Sequence, residues 1–214
     1  MPGFSAGVKA LAGIARERRL PRFAPETFRA WFARRPPDGR ASGHDVVLFP
    51  DTFTNHFSPG IGRAAVDVLE AAGFAVTLPR GPLCCGRPLY DFGMLDRARR
   101  RLARVLDALS PAVAAGSPVV VLEPSCAAVF RDELPELFPR DERAGQLARR
   151  TFLLAEFLEK EANGWTPPAP GVSGKALVQF HCHQRALFGI DAGWRRSVPH
   201  RAGDFVARKL GILL

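Results

Sequence analysis

The chain has 214 residues, 47% of them hydrophobic, and carries a formal net charge of +9. This length and apolar content suffice for a globular domain whose buried core needs no disulfide or bound metal to stabilise it. The excess charge lies at the ends: residues 1–44 carry nine basic and three acidic side chains, residues 191–214 carry five and two, and residues 45–190 carry sixteen of each. A nucleic-acid-binding domain would carry its basic stripe on the folded body, so we expect no nucleic-acid partner.

The cysteine content and the hydropathy of the sequence indicate the cellular compartment of the protein. The chain has four cysteines, and residues 1–22 contain no uninterrupted apolar region of the kind found in a secretion signal. No stretch approaches the roughly 18 apolar residues that crossing a bilayer requires. We therefore expect a cytoplasmic protein whose thiols serve metals or redox chemistry rather than structural disulfides.

The first 44 residues differ in character from the rest. They combine a weakly amphipathic stretch with arginine-rich and proline-rich sequence that ends near Gly39. This composition is typical of a linker or a docking arm. A basic helix on a membrane surface is the alternative, and the short apolar stripe supports it only weakly.

From residue 45 onward, short apolar runs alternate with helical periodicity. The runs are predicted as buried strands at residues 46–49, 74–78, 118–122 and 176–180. Helices are predicted over residues 61–72, 95–109 and 146–160, and from about residue 126 with Ser125 as its cap. Residues 51–60 are predicted as a loop, and residues 164–174 as a connector. Apolar strands that alternate with helices predict an α/β fold with an open parallel sheet and flanking helices.

The chemically informative side chains follow the predicted strands. Because chemistry in such sheets gathers at the carboxyl ends of the strands, these residues are expected to meet at one rim. They include all four thiols and are, in chain order, Asp51, Thr52, Cys84, Cys85, Glu123, Cys126, His181, Cys182 and His183.

Cys84-Cys85-Gly86 places two soft ligands in one turn, and the glycine permits the backbone conformation that adjacent thiolates need around a metal. Two small buried residues are the alternative, because free cysteine is among the most buried residue types. With Cys126, Cys182 and two histidines expected at the same rim, a metal or redox site is the favoured interpretation. The chain has no Cys-x-x-Cys pair, which argues against a structural zinc site.

His181, Cys182 and His183 form a second group of metal-ligating residues. While a strand persists, the two histidines would face one side and the cysteine the other; a turn would redirect them. A hydrogen bond to a local backbone carbonyl is the alternative for each histidine, and a nucleophilic Cys-His pair has the residue types but no supporting motif. The sequence also has no glycine-rich dinucleotide fingerprint, phosphate-binding loop or HExxH motif.

Four stretches resemble the cysteine-rich CCG domain. That domain occurs in heterodisulfide reductase, in the iron-sulfur subunits of glycolate oxidase and anaerobic glycerol-3-phosphate dehydrogenase, and at the C-terminus of FAD-linked oxidases. The segments DTF, LCCGRPLYDFGMLD and EPSC most resemble those of the last group, whose members are similar to D-lactate and D-2-hydroxyglutarate dehydrogenases. The stretches are VVLFPDTFTNHFSP (46–59), LEAAGFAVTLPRGPLCCGRPLYDFGMLD (69–96), VVVLEPSCAAVFRDEL (119–134) and FHCHQRAL (180–187).

The resemblance implies a module of two repeats, each with an opening cysteine, a Cys-Cys-Gly turn and a closing Cys-x-x-Cys pair. Thr52 stands where the first repeat would open, and Glu123 stands at the first position of its closing pair. Three of the five ligands therefore remain, namely Cys84, Cys85 and Cys126. The second repeat begins at FHCHQRAL, and no second Cys-Cys-Gly follows. A truncated gene product and a short subunit would both have this sequence.

The resemblance implies an electron-transfer iron-sulfur module of a flavin-linked 2-hydroxyacid dehydrogenase, which is not catalytic alone. FAD is expected only on a partner, with flavoprotein and ferredoxin-like domains or subunits as partners and any membrane contact made through them. A metal-free structural remnant is the alternative. The implied organisation is a linker (1–44), a CCG-type lobe (45–163), a connector (164–174) and the truncated start of a second lobe (175–214). The expected metal ligands are Cys84, Cys85 and Cys126, followed by Cys182, His181 and His183.

Overall fold

The computed structural model describes residues 7, 9–15, 17–36, 45–166 and 181–188. Within them, four parallel strands form a sheet with the spatial order β2-β1-β3-β4. The predicted α/β class, with an open parallel sheet and flanking helices, is confirmed. The strands are β1 (Asp45–Phe49), β2 (Ala75–Thr77), β3 (Val119–Val121) and β4 (Thr151–Leu153).

Helices cover the sheet and connect its strands. None of the helices among the described residues combines the length and apolarity needed to cross a bilayer. A π-helical turn (Val129–Glu133) joins the helix Pro124–Ala128 to the helix Leu134–Leu137. The α-helices are α1 (Phe28–Arg34), α2 (Thr52–His56), α3 (Pro59–Ala71), α4 (Arg87–Asp91), α5 (Leu95–Ala114), α6 (Pro124–Ala128), α7 (Leu134–Leu137), α8 (Glu142–Arg150), α9 (Leu154–Glu161) and α10 (Cys182–Phe188).

Alternate side chains of the central strands enter two separate cores. In β1, Val46 and Leu48 pack beneath α1, α3 and α9, whereas Val47 and Phe49 pack beneath α5, α6 and α8. All four side chains are at most 3% exposed. Burial on both faces explains why the sequence of β1 is a continuous apolar run and does not alternate between apolar and polar residues.

The segment before the sheet contains a helix that the sequence pattern did not predict. The Thr27 side chain caps α1 by accepting a hydrogen bond from the Ala30 N–H at 3.2 Å. Phe28 is fully buried and lies against Gly62 of α3, where an added Cβ would come within 2.6 Å of the Phe28 ring. Residues 28–34 therefore pack onto this domain, while residues 37–44 lie outside the described part of the chain.

The prediction of one helix over residues 146–160 is wrong. The chain there forms the end of α8, then β4, then α9, and β4 pairs with β3. The Thr151 hydroxyl donates to the Leu147 carbonyl at 2.7 Å where α8 ends, and residues 151–153 are all buried. Tertiary pairing with β3 thus overrides a helical period that continues across the strand. The strand predicted at residues 176–180 lies outside the described residues.

The loop predicted over residues 51–60 also contains helical structure. Asp51 caps α2, with its Oδ1 accepting from the Phe53 N–H at 2.8 Å and the Thr54 N–H at 3.0 Å. The helix predicted over residues 61–72 is α3, which begins at Pro59. Gly73 follows it with a φ of +91°, the left-handed conformation that favours glycine after a helix.

Candidate metal centre

The Cys-Cys-Gly turn lies between β2 and α4. Gly86 has a φ of +79° and caps α4, a conformation in which glycine is favoured because it has no Cβ. Its N–H donates to the Cys84 Sγ at 3.5 Å. Cys84 is half-buried, whereas Cys85 is only 4% exposed. The turn therefore points one thiol into the protein and keeps the other near the surface.

The third cysteine comes from the far side of β1. Cys126 lies in α6, which follows β3, and is 5% exposed. Its Sγ lies 2.8 Å from the Cys85 Sγ, although the two residues are 41 positions apart in the chain. The expected meeting of thiols at the carboxyl rim of the sheet is confirmed for this pair.

The electrostatics of the cysteine turn favour protonated thiols at Cys84 and Cys85. Contact with Cys126 has the largest influence on the pKa of Cys85 and raises it; contact with Cys84 lowers it, and burial raises it again. Contact with Cys85 raises the pKa of Cys84, again with a contribution from burial. Two adjacent thiolates away from water would repel each other, so the Cys84 and Cys85 sulfurs retain their protons unless a cation replaces them.

Arg87 connects the cysteine turn to the segment around Cys126 through an ion pair and a hydrogen bond. It is 8% exposed, and its Nη1 lies 2.6 Å from Glu133 Oε1 and 3.2 Å from Asp91 Oδ1. Its Nη2 donates to the Ser125 carbonyl at 3.4 Å. The same side chain thus contacts the residue before Cys126 and the last residue of the π-helical turn, a type of turn that is frequent at functional sites.

Sequence reasoning missed Arg87 and Glu133. Neither residue belongs to the cysteine pattern, and Glu133 lies in a stretch that sequence alone presents as an ordinary helix. An arginine directly after the Cys-Cys-Gly turn was the available signal. Its significance depends on a carboxylate 46 positions away that only the fold brings within 2.6 Å.

The two positions that depart from the cysteine pattern have other roles. Thr52 is exposed at the start of α2. Glu123 caps α6: its Oε1 accepts from the Ser125 N–H at 3.1 Å and from the Ser125 hydroxyl at 2.8 Å. The prediction that Ser125 itself caps this helix is therefore wrong, because the helix begins at Pro124, one residue before it.

The His181-Cys182-His183 group lies at the start of α10. Each of the three residues offers one ligand atom, and these three atoms all lie within 4.8 Å of one another. The Cys182 Sγ is 3.9 Å from the Nδ1 of each histidine. Because the chain enters a helix here, strand alternation does not separate the three side chains. α10 packs against α6, the helix that carries Cys126.

The fold and the cysteine pair define this chain as a parallel α/β domain with two buried, contacting thiols at the carboxyl rim of its sheet. Its sequence is similar to those of several named proteins. It is 32% identical over 162 residues to lactate utilization protein A of Bacillus velezensis and 30% identical over 162 residues to that of Bacillus subtilis, covering in each case 74% of this chain and 66% of the relative. It is 28% identical over 183 residues to the C component of the anaerobic glycerol-3-phosphate dehydrogenase of Escherichia coli, covering 85% of this chain and 44% of that protein.

The chain is therefore homologous to the lactate utilization A proteins and to this dehydrogenase component. The match spans just under two thirds of the length of the former and less than half of the latter. No protein-family model matches the chain, and no solved structure matches it.

Proposed function

We propose that this chain is the electron-transfer module of a flavin-linked 2-hydroxyacid dehydrogenase system, with an iron-sulfur centre held by Cys84, Cys85 and Cys126. The observation that carries the proposal is the 2.8 Å contact between Cys85 and Cys126, which the fold brings together from two different strand ends. The relatives support the class of reaction, since one is named for lactate utilization and another is a component of a dehydrogenase.

The donor set fits an iron-sulfur centre in its chemistry, because thiolates are the ligands such clusters use. Two thiolates bound to one ion at ~2.3 Å with tetrahedral geometry lie roughly 3.8 Å apart. Cys85 and Cys126 are closer than that, so metal binding would separate their sulfurs by about 1 Å. When bound, such a centre supplies uptake and release of single electrons.

The protein's own residues prepare the site for that group. Burial of Cys85 and Cys126 keeps water from the sulfurs, and the Arg87 contacts hold the turn and α6 in register. Because the pKa values of Cys84 and Cys85 are raised, metal binding must displace their protons. Occupancy should therefore fall as the pH is lowered.

The hydroxyacid must be oxidised elsewhere. The chain carries no recognisable FAD-binding motif, and a cluster cannot take hydride from a hydroxyacid as a flavin can. The module thus works with a flavoprotein, and with ferredoxin-like domains or subunits that pass electrons onward, in the cytoplasm. The purified chain is expected to oxidise no 2-hydroxyacid with an artificial acceptor; robust turnover without added flavin or partner would overturn this assignment.

Anaerobic reconstitution of the full chain with iron and sulfide tests the centre itself. The expected product binds iron and acid-labile sulfide and absorbs in the visible. Cys85→Ser and Cys126→Ser should each lose the chromophore and most of the iron, because a serine hydroxyl is a poor soft-metal ligand. Cys182→Ser is the matched control and should retain both. Equal iron in wild type and Cys85→Ser would remove the cysteine pair from the site.

A metal-free structural or interaction module is the second candidate. It is favoured by Glu123, whose carboxylate caps α6 where the CCG pattern would have a thiol. It predicts a stable, colourless chain that binds its flavoprotein partner equally well with and without iron. Iron and sulfide content after anaerobic preparation distinguish the two candidates.

A further inference from the structure

We propose that His181, Cys182 and His183 form a second, separate metal site, which binds one borderline-soft divalent transition ion of the Zn²⁺ class. The inference does not depend on the iron-sulfur centre, since it uses none of the same ligands. It rests on the side-chain geometry of three consecutive residues at the surface.

The spacing of the ligand atoms matches a single ion. A Zn²⁺ ion bound at ~2.3 Å to sulfur and ~2.0 Å to nitrogen holds those two atoms roughly 3.5 to 3.7 Å apart at angles of about 110 to 120°. The Cys182 Sγ already lies 3.9 Å from the Nδ1 of His181 and 3.9 Å from that of His183. For these two pairs a shift of a few tenths of an ångström reaches that spacing, and all three ligand atoms lie within 4.8 Å of one another.

The local structure holds the two histidines on the same side. Their rings stack with centroids 5.2 Å apart and an interplanar angle of 20°. The His183 N–H donates to the His181 Nδ1 at 3.3 Å, a long hydrogen bond that an ion bound at that nitrogen would replace. Both imidazoles therefore lie beside the Cys182 thiol before an ion binds.

The ligand set selects the class of ion. One thiolate and two imidazoles suit Zn²⁺, Co²⁺ or Ni²⁺ and are poor ligands for Mg²⁺ or Ca²⁺, which prefer oxygen. Cys182 and His181 are exposed and His183 is half-buried, so a fourth position on the ion is open to water. On binding, the Cys182 thiol releases its proton to solvent and the thiolate donates its electron pair to the ion.

Metal binding at this site should also stabilise the packing of α10 on α6. The ion binds the folded arrangement of residues 181–183 more tightly than the open chain, so it stabilises that arrangement by mass action. We expect residues 181–188 to gain protection from amide hydrogen exchange when Zn²⁺ is added.

The test is titration of the full apo chain with Zn²⁺ or Co²⁺ alone, under reducing conditions and without sulfide. We expect one equivalent to bind in the Cys85→Ser background, with a cobalt-thiolate absorption band and an X-ray absorption shell of one sulfur, two nitrogens and a water oxygen. Cys182→Ser should abolish the band. His183→Gln should weaken binding by about 100-fold or more, since loss of an outer-shell partner alone costs 10–100-fold.

His56→Gln provides the histidine control, because His56 lies in α2 and contacts Asn55 and Phe23 instead. In the same Cys85→Ser background, its affinity for the ion should match that of the chain that retains His56. Binding that survives both Cys182→Ser and His183→Gln would overturn the site, as would a shell without nitrogen. Failure of iron-sulfur reconstitution would leave this result unchanged, because the Cys85→Ser background removes that centre from the measurement.

Discussion

Arg87 and Glu133 form a buried ion pair, with 2.6 Å between Nη1 and Oε1, that joins the cysteine turn to the segment following Cys126. Removing the cation leaves a buried carboxylate without its partner. We expect Arg87→Met to lower the free energy of unfolding by about 3 kcal/mol, the usual cost of breaking a buried pair from one side. Urea denaturation at neutral pH measures the loss.

Two comparisons separate this effect from a general loss of charge. Arg87→Met combined with Glu133→Met should recover most of the stability, because no uncompensated buried charge remains and Asp91, the other partner of Arg87, is exposed to water. Arg143→Met removes an arginine that pairs with Asp107 at the surface and should have a much smaller effect. A double variant no more stable than Arg87→Met would show that the ion pair is not the source of the loss.

The raised pKa of Cys85 predicts a dependence of stability on alkaline pH. Above pH of about 8.5 the unfolded chain releases this thiol proton, whereas the folded chain retains it. The unfolded state is then favoured, so stability should fall by roughly 1.4 kcal/mol per pH unit for this group. Denaturation of wild type and Cys85→Ala at pH 8, 9 and 10 should give a steeper decline for wild type. Parallel profiles would contradict the prediction.

Gly62 allows the close approach of α1 to α3. An added methyl would come within 2.6 Å of the fully buried Phe28 ring, so Gly62→Ala should cost about 1–3 kcal/mol as overpacking. Gly60→Ala in the same helix meets nothing within 4 Å and should be neutral or stabilising by up to ~1 kcal/mol. Thermal denaturation of both variants checks the contrast, which would disappear if α1 were not docked.

Asp51 caps α2 where β1 ends. Its carboxylate accepts from two backbone N–H groups and from the Thr54 hydroxyl. Asp51→Ala should lower the free energy of unfolding by about 1–2 kcal/mol, as measured by urea denaturation. Asp51→Asn keeps an acceptor for the backbone bonds and should cost distinctly less. Equal losses for the two variants would show that the negative charge, and not the cap, is what matters.

The parallel sheet and most of its elements could be predicted from the sequence. Local apolar runs specify β1, β2 and β3, and the helical period with a following glycine specifies α3, because both patterns reflect burial of neighbouring residues. β4 could not be predicted, since its three residues continue a helical period and their strand conformation depends on pairing with β3.

The candidate site, too, could be predicted only in part from the sequence. The residue types and the strand-end rule were sufficient to predict that Cys85 and Cys126 lie close together. The sequence alone does not give the separation of their sulfurs, the contact with Cys126 that raises the Cys85 pKa, or the buried Arg87–Glu133 pair. These features join residues 41 and 46 positions apart, and such distances are determined by the packing of helices on the sheet, which no local pattern encodes.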